Sequence, residues 1–252
     1  MENKIALVTG AAKGIGSAVA RRLARDCYNV AVNYHTQKEN AEKIVSEIRQ
    51  MGREAFAVYA DMGKVEDIRA MVDETLARFG RIDLLVNNAG ISSEVYFLDA
   101  TEADFDKMIS IDWKGLYFAS QLVARSMIER KLHGVIVNVS SNQVYGCWPR
   151  ATIYAPAKAA VSKFTKNAAM ELSLHNIRMV AVAPGYTDVG WESGDIRLEA
   201  AQRLPFRRFA TMDEIAGLVS YVASDEADYM TGNTVLMDGG ATLPVVAAND
   251  FV

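Results

Sequence analysis

A doubly wound α/β fold, a single parallel sheet covered by helices on both faces, is what this sequence of 252 residues predicts. Three observations predict it. Short Val- and Ile-rich runs alternate with amphipathic stretches along nearly the whole chain, and runs apolar on both faces are what a parallel sheet demands. That alternation implies right-handed βαβ crossovers. A glycine cluster over residues 10–16 follows the first run at once, where a turn that cradles phosphate would stand between strand and helix.

The elements follow in order. About seven strands are expected, over residues 5–9, 29–34, 55–59, 84–87, 134–139, 178–183 and 234–237. Helical period marks residues 17–25, 40–51 and 65–79. Residues 105–128 carry Met108, Ile111, Leu116, Tyr117, Leu122 and Val123 at helical spacing, which suits a helix that packs against a neighbouring subunit. A further helix contains Tyr154. Pro156 follows two residues later, and its missing N–H is tolerated only in a first turn, so Tyr154 is expected at that helix's start. Residues 186–209 hold Gly190, Gly194 and Pro205 and break the rhythm, as a mobile loop-helix lid does. Residues 241–252 form a tail beyond the last strand. With five prolines, no repeat and no shift in composition, the chain reads as one dinucleotide-binding catalytic domain over residues 1–252.

Half the residues are hydrophobic and 23% are charged, an ordinary globular balance. A net charge of −4 gives no reason to expect nucleic acid or an anionic membrane as a partner. The two cysteines, Cys27 and Cys147, show no metal-like spacing and read as packing residues in a reducing compartment. Strand-like residues begin by position 5 and no apolar run approaches membrane-spanning length, so a cytoplasmic enzyme without metal is expected.

The chemistry is concentrated in Tyr154-Ala-Pro-Ala-Lys158, with Ser141 thirteen residues before the tyrosine. Residues four apart share one helix face. A phenol of pKa about 10 is a poor acid or base at neutral pH, and a lysine cation beside it draws that value down. Ser141 would hold a carbonyl or alcohol oxygen next to the phenol. Together they move a proton on and off oxygen; read alone, the same pair would be two surface residues of a helix.

At the other end stands Thr9-Gly10-Ala11-Ala12-Lys13-Gly14-Ile15-Gly16, a G-x-x-x-G-x-G loop. Its glycines let backbone approach a pyrophosphate whose charge the helix N-terminus receives. The second strand ends in Asn33-Tyr34-His35, where an NAD-selective site would offer Asp or Glu to a ribose hydroxyl. Neither Tyr34 nor His35 is acidic, and Lys13 with His35 would face a 2′-phosphate. NADP(H) is the expected cofactor. The alternative is a solvated Lys13 and a site that takes NAD(H) as well.

With these residues together, the chain resembles the short-chain dehydrogenase/reductase family, and the resemblance covers essentially all of it. Thr9 to Gly16 matches the family's T-G-x-x-x-G-x-G; Asp61, followed by Met62, falls where the family sets an acid against adenine; Asn87-Asn88-Ala89-Gly90 matches N-N-A-G. Ser141, Tyr154 and Lys158 match the catalytic trio, Pro184-Gly185 the motif beside the nicotinamide, and Thr231-Gly232 through Asp238-Gly239-Gly240 the last strand. The subgroup it is most similar to is that of 3-oxoacyl-acyl-carrier-protein reductases and glucose dehydrogenases. The resemblance implies a Rossmann-type sheet, hydride transfer between nicotinamide and a ketone or secondary alcohol, and a homotetramer or homodimer. It also implies that Tyr154 protonates the alkoxide, that Lys158 binds the nicotinamide ribose, and that Ser141 orients the carbonyl oxygen.

Four positions depart from the family pattern. Asp112 replaces the catalytic Asn of an N-x-x-G segment; an anion near Lys158 should raise that lysine's pKa, leave Tyr154 less depressed and move alcohol oxidation to more alkaline pH. Alternatively Asp112 is a tolerated variant of modest effect. Pro156 lies inside the catalytic motif. Val180 replaces an asparagine often found before Pro-Gly, and Val189 stands at a usual threonine position, leaving the carboxamide to Thr187 or backbone. On the substrate side, Ser92, Ser93, Gln143, Val144, Trp148, Tyr186 and Trp191 form an aromatic and uncharged polar lining, with Arg150 the nearest cation. Arg130 and Lys131 would be candidates for docking an acyl carrier. The reading is an NADP(H)-dependent reductase of a small-molecule ketone, with 3-oxoacyl-thioester, sugar, polyol or steroid substrates as alternatives. A nucleotide-binding sensor that has lost turnover is the reading from a different class.

Overall fold

The computed structural model describes residues 4–92, 95–190 and 201–243. Seven strands, β1 (Ile5–Val8), β2 (Asn29–Tyr34), β3 (Ala55–Tyr59), β4 (Leu84–Asn87), β5 (Val135–Val139), β6 (Arg178–Pro184) and β9 (Thr234–Met237), form one parallel sheet in the order β3-β2-β1-β4-β5-β6-β9. Two further short strands, β7 (Thr187–Asp188) and β8 (Ala210–Thr211), pair with each other. The order reverses between β1 and β4, and in such sheets ligands bind at that switch, beyond the carboxyl ends of the strands.

The strands are buried because both faces are covered. Helix α1 (Gly14–Arg25), α2 (Lys38–Gln50) and a later helix, α7 (Met212–Ala223), pack on one face. On the other lie α3 (Val65–Phe79), α5 (Leu116–Glu129) and α6 (Tyr154–Leu172). Alternate residues of β1 divide accordingly: Ala6 and Val8 join the first cluster, Leu7 the second, as a period of two requires.

Residues 105–128 are not one regular helix. α4 (Glu102–Ile109) passes through a π-helical turn, Ser110–Gly115, before α5. The apolar residues expected to meet another subunit are divided as well. Met108, Leu116 and Val123 are core residues, whereas Phe105 is 52% and Tyr117 38% exposed. The physical reason is that this stretch lies on the sheet, so most of its apolar stripe is consumed within the chain. The cysteines are a second correction: Cys27 and Cys147 are both exposed, and Cys27 has a left-handed backbone at a turn (φ 70°), so neither fills the core.

At the return to the sheet edge, Thr211 caps α7 and its carboxylate partner Glu214 takes a two-pronged contact from Arg208 (2.7 and 2.8 Å). Arg208 first, and the Thr211 backbone amide next, hold Glu214 at a pKa of about 2 against an ordinary 4.5. A depressed carboxylate stabilises the fold above its unfolded value and loses that contribution as pH falls through the folded one. We expect carbon-detected NMR to give Glu214 a midpoint near 2, and Arg208→Ala to move it back towards 4.5. An unmoved midpoint would show that the cap alone sets it.

Candidate active site

Gly10 and Gly14 take left-handed conformations (φ 61° and 56°), which glycine adopts without a Cβ penalty. The loop they form is fixed from below. Thr9 Oγ1 accepts the Asn88 and Ala89 N–H groups at 3.0 Å each, and Asn88 Nδ2 donates to the Thr9 and Gly10 carbonyls at 2.9 and 3.1 Å. A side chain at Gly10 would stand 2.9 Å from Ala89 Cα, and one at Gly16 would meet Asn88 and the Gly10 carbonyl. At its N-terminus α1 has no side-chain cap and no acid in its first turn. Its first N–H groups are therefore available to an anion, and the residues fit a nucleotide pyrophosphate.

Gly10, Lys13, Gly14, Tyr34, His35, Asp61, Met62, Asn88, Ala89 and Gly90 line one cleft of about 280 Å³. Of the other residues expected to meet the cofactor, Ile15 packs partly against the core and Gly16 lies close to Asn88 and the Gly10 carbonyl, while Tyr154, Lys158, Pro184, Gly185 and Thr187 lie outside the lining of this cleft. Thr36, Gln37, Ile91 and Ile111 line the same cleft, and nothing in their residue type marked them beforehand. No carboxylate stands at the end of β2. Asp61 Oδ1 accepts the Gly63 N–H at 2.9 Å, while its Oδ2 lies 3.9 Å from His35 Nε2 and 4.0 Å from Lys64 Nζ.

The residues expected to handle the proton converge from the turn after β5 and from α6. Ser141 follows β5, caps the short 3-10 turn Asn142–Val144 and accepts the Gln143 N–H at 3.2 Å. Tyr154 opens α6, with Pro156 in the first turn, where a missing N–H costs nothing. One turn on, Lys158 is 4% exposed. Its Nζ donates to the Val139 carbonyl at 3.1 Å, stands 3.1 Å from Asp112 Oδ2 and lies 5.6 Å from the Tyr154 ring centroid. Burial alone would depress the lysine; the Tyr154 oxygen and the Asp112 carboxylate outweigh it, and the pKa stands above the ordinary lysine value. The direction is the one expected from Asp112.

Asp112 is delivered by the π turn, a feature that often accompanies function. Its side chain is fully buried, and Oδ1 accepts the Ile91 N–H at 2.8 Å. The turn is possible because Gly115 has no side chain to strike the Met62 carbonyl. Gly90 closes the same corner: a Cβ there would lie 2.8 Å from Asp112 Oδ2 and 3.2 Å from Lys158 Nζ. Behind them, Asn87 Nδ2 donates to Asn138 Oδ1 (2.8 Å) and Ser120 Oγ (2.9 Å), and Asn138 Nδ2 to Thr165 Oγ1 (3.0 Å). This buried network ties α5 and α6 to β4 and β5. Sequence reasoning missed it, because its members are far apart in the chain.

Beyond β6, Gly185 leaves room for Asp238, whose Cα would stand 2.6 Å from an added Cβ. Thr187 is buried and its hydroxyl donates to the Gly185 carbonyl at 3.1 Å. Val180 fills the core opposite Val137, and Val189 faces Gly14. On the substrate side, the Trp148 indole N–H donates to the Tyr186 hydroxyl at 2.6 Å, and the Tyr186 ring stacks on Phe209 at 5.4 Å. Ser92 is exposed, and Arg150 lies over the Tyr96 ring at 5.7 Å. Arg130 ties the end of α5 to the Gly80 carbonyl at 2.9 Å. Ser93, Trp191, the middle of the expected lid and the tail from 244 onward lie outside the described residues.

A sheet that switches order at a glycine loop, with a buried lysine under a tyrosine, defines a nucleotide-dependent oxidoreductase. The family model described as "Enoyl-(Acyl carrier protein) reductase" matches residues 10–242. The 3-oxoacyl-[acyl-carrier-protein] reductase FabG of Staphylococcus epidermidis is 39% identical over 243 residues, covering 94% of this chain and 98% of that protein. The 3beta-hydroxysteroid dehydrogenase 1 of Eggerthella lenta is 34% identical over 248 residues, covering 96% of this chain and 95% of that one. The crystal structure of acetoin dehydrogenase YohF from Salmonella typhimurium superimposes with a TM-score of 0.91 at 31% identity, covering 98% of this chain and 99% of that one. This chain belongs to the short-chain dehydrogenase/reductase family, in its 3-oxoacyl-acyl-carrier-protein reductase-like part. It is an oxidoreductase acting on CH–OH groups with a nicotinamide cofactor. Among the described residues, no helix is long and apolar enough to cross a membrane.

Proposed function

We propose that the protein is an NADP(H)-dependent ketoreductase whose chemistry is carried by Ser141, Tyr154 and Lys158, with Asp112 as the partner of the lysine. The observation that carries this reading is the buried Lys158 ammonium, placed 5.6 Å from the Tyr154 ring centroid and held by Asp112 and the Val139 carbonyl. A pure nucleotide sensor has no use for a buried cation beneath a phenol, which argues against lost turnover.

The nicotinamide, when bound, supplies the hydride to the carbonyl carbon. Ser141 donates a hydrogen bond to the carbonyl oxygen and fixes it against the phenol. Tyr154 gives its proton to that oxygen as negative charge develops, and takes it back in alcohol oxidation. Lys158, kept cationic by Asp112, stabilises the charge left on the Tyr154 oxygen. The α1 N-terminus and the glycine loop would hold the pyrophosphate, and Pro184, Gly185 and Thr187 would hold the nicotinamide end.

The choice of NADP(H) over NAD(H) rests on the end of β2, which offers Tyr34 and His35 instead of an acid, and on exposed Lys13 at the mouth of the same cleft. Steady-state oxidation of NADPH and NADH with a panel of ketones and an acetoacetyl thioester tests the reading. We expect turnover with NADPH preferred, and Lys13→Ala to raise KM for NADPH about tenfold, the share of one phosphate contact, while KM for NADH stays put. Equal changes for both nucleotides would remove the 2′-phosphate role of Lys13.

The 3-oxoacyl thioester of the FabG relative and the acetoin of the structural neighbour are the two favoured substrate types. A homotetramer is proposed from exposed Phe105, from Tyr117 in the ring cluster with Trp113 and Phe164, and from β9 at the edge of the sheet, where Leu236 is 40% exposed.

A further inference from the structure

The charge at the β2 end of the nucleotide cleft depends on one side chain. His35 follows β2 and lines the cleft with Lys13, Thr36, Gln37 and Asp61. Its ring lies 6.0 Å from that of Tyr59, and its Nε2 stands 3.9 Å from Asp61 Oδ2. Each element around it contributes ionic or phenolic groups. The segment after β3 supplies Asp61, with Lys64 Nζ 4.0 Å from its Oδ2 and Asp67 Oδ2 accepting its backbone N–H at 3.1 Å. The glycine loop supplies Lys13, and α2 opens with Lys38 and Glu39. Tyr34 and Tyr59, edge to face at 6.0 Å, add the phenols.

Among these described residues, Lys13, Lys38 and Lys64 balance Glu39, Asp61 and Asp67. His35 therefore decides whether this end of the cleft is cationic. An imidazole ordinarily titrates near about 6.5, and the second proton of a phosphate monoester leaves near about 6. Around neutral pH the phosphate is mostly a dianion, and an anion beside an imidazole favours its protonated form. The pair therefore forms with uptake of a proton. A ribose hydroxyl carries no charge and draws in none.

We propose that His35 sets the choice between NADP(H) and NAD(H) according to pH, and that binding of NADPH, unlike binding of NADH, takes up a proton at its imidazole. Protonated His35 pairs with the 2′-phosphate together with Lys13. Neutral His35 leaves the Asp61 carboxylate unopposed beside that phosphate, and affinity falls. The inference rests on the NADP(H) reading and supplies its regulation: discrimination against NAD(H) is strong at neutral to acid pH and weakens in alkali.

Fluorescence titration with each nucleotide at about pH 6.5 and about pH 8.5, on either side of the imidazole transition, tests the first half. Calorimetry at about pH 7 in buffers of different protonation enthalpy tests the second. In wild-type protein the Kd for NADPH should rise about fivefold between the two pH values, most of the roughly tenfold share of one charge-assisted contact. The Kd for NADH should stay within about twofold, and NADPH should take up about half a proton where NADH takes up none. His35→Gln, which keeps a polar side chain and loses the titration, should hold the weaker value at both pH values without proton uptake. His35→Arg, a permanent cation, should hold the tighter value at both. A pH effect that survives in His35→Gln, or a wild type that prefers NADPH equally at both pH values, would overturn the role of His35 while leaving the NADP(H) reading intact. NADPH bound no more tightly than NADH at either pH would remove both.

Discussion

Tyr154→Phe should lose about a hundred- to ten-thousandfold in kcat, the usual contribution of a positioned acid or base, with nucleotide affinity unchanged. The ring that Lys158 faces at 5.6 Å remains in place; only the oxygen that exchanges the proton is removed. The loss should fall on kcat and kcat/KM alike, as it does when an interaction made only in the transition state is deleted. Fluorescence titration with NADPH, run beside steady-state kinetics in both directions, separates the two quantities. A variant that binds nucleotide and retains more than about a tenth of its turnover would assign the proton to another group.

Lys158→Met carries the second large effect, on stability as well as on rate. The substitution leaves the fully buried Asp112 carboxylate without its cation, and a buried ion pair broken on one side costs about 3–5 kcal/mol. Adding Asp112→Asn removes the stranded charge and keeps an acceptor for the Ile91 N–H. The double variant should recover most of that stability while remaining inactive. Urea denaturation of the four proteins closes the cycle, and simple additivity of the two losses would show that the groups do not couple. The pH dependence has a definite sign. The folded pKa of Lys158 is raised above 10.5, so its contribution is complete below that value and is lost as pH climbs through the higher folded one. Wild-type stability should therefore fall at strongly alkaline pH by an increment that Lys158→Met lacks.

Much of the molecule was legible because its signals are local. Each strand of the main sheet is a short apolar run, and the seven expected runs differ from the observed strands by a residue or so at their ends. Pro156 fixed the start of α6 through its missing N–H. The glycine loop could be read because a left-handed φ and close backbone approach leave few residue choices. Asp112 was singled out by residue type, but its full burial beside Lys158 follows from a π turn that no spacing rule predicts. Where a reading failed, a local pattern had been asked a nonlocal question. Met108, Leu116 and Val123 form an apolar stripe whichever surface covers it, and only the packing of α4 and α5 shows that the chain's own core does so. Cys27 and Cys147 were taken for packing residues on average behaviour, and both are exposed instead, Cys27 in a turn after α1.

The sequence by itself determined the doubly wound sheet, the glycine loop at its switch point and the four-residue spacing that sets Tyr154 and Lys158 on one helix. Periodicity, glycine spacing and helical four-residue spacing are properties of neighbours in the chain. Only the tertiary structure decided the rest: that Asp112 and the Val139 carbonyl enclose the lysine, and that an Asn–Asn–Ser–Thr network braces the site. Those relations join residues as far as 51 positions apart, and a contact at that separation is set by how helices and strands pack, which no local pattern encodes.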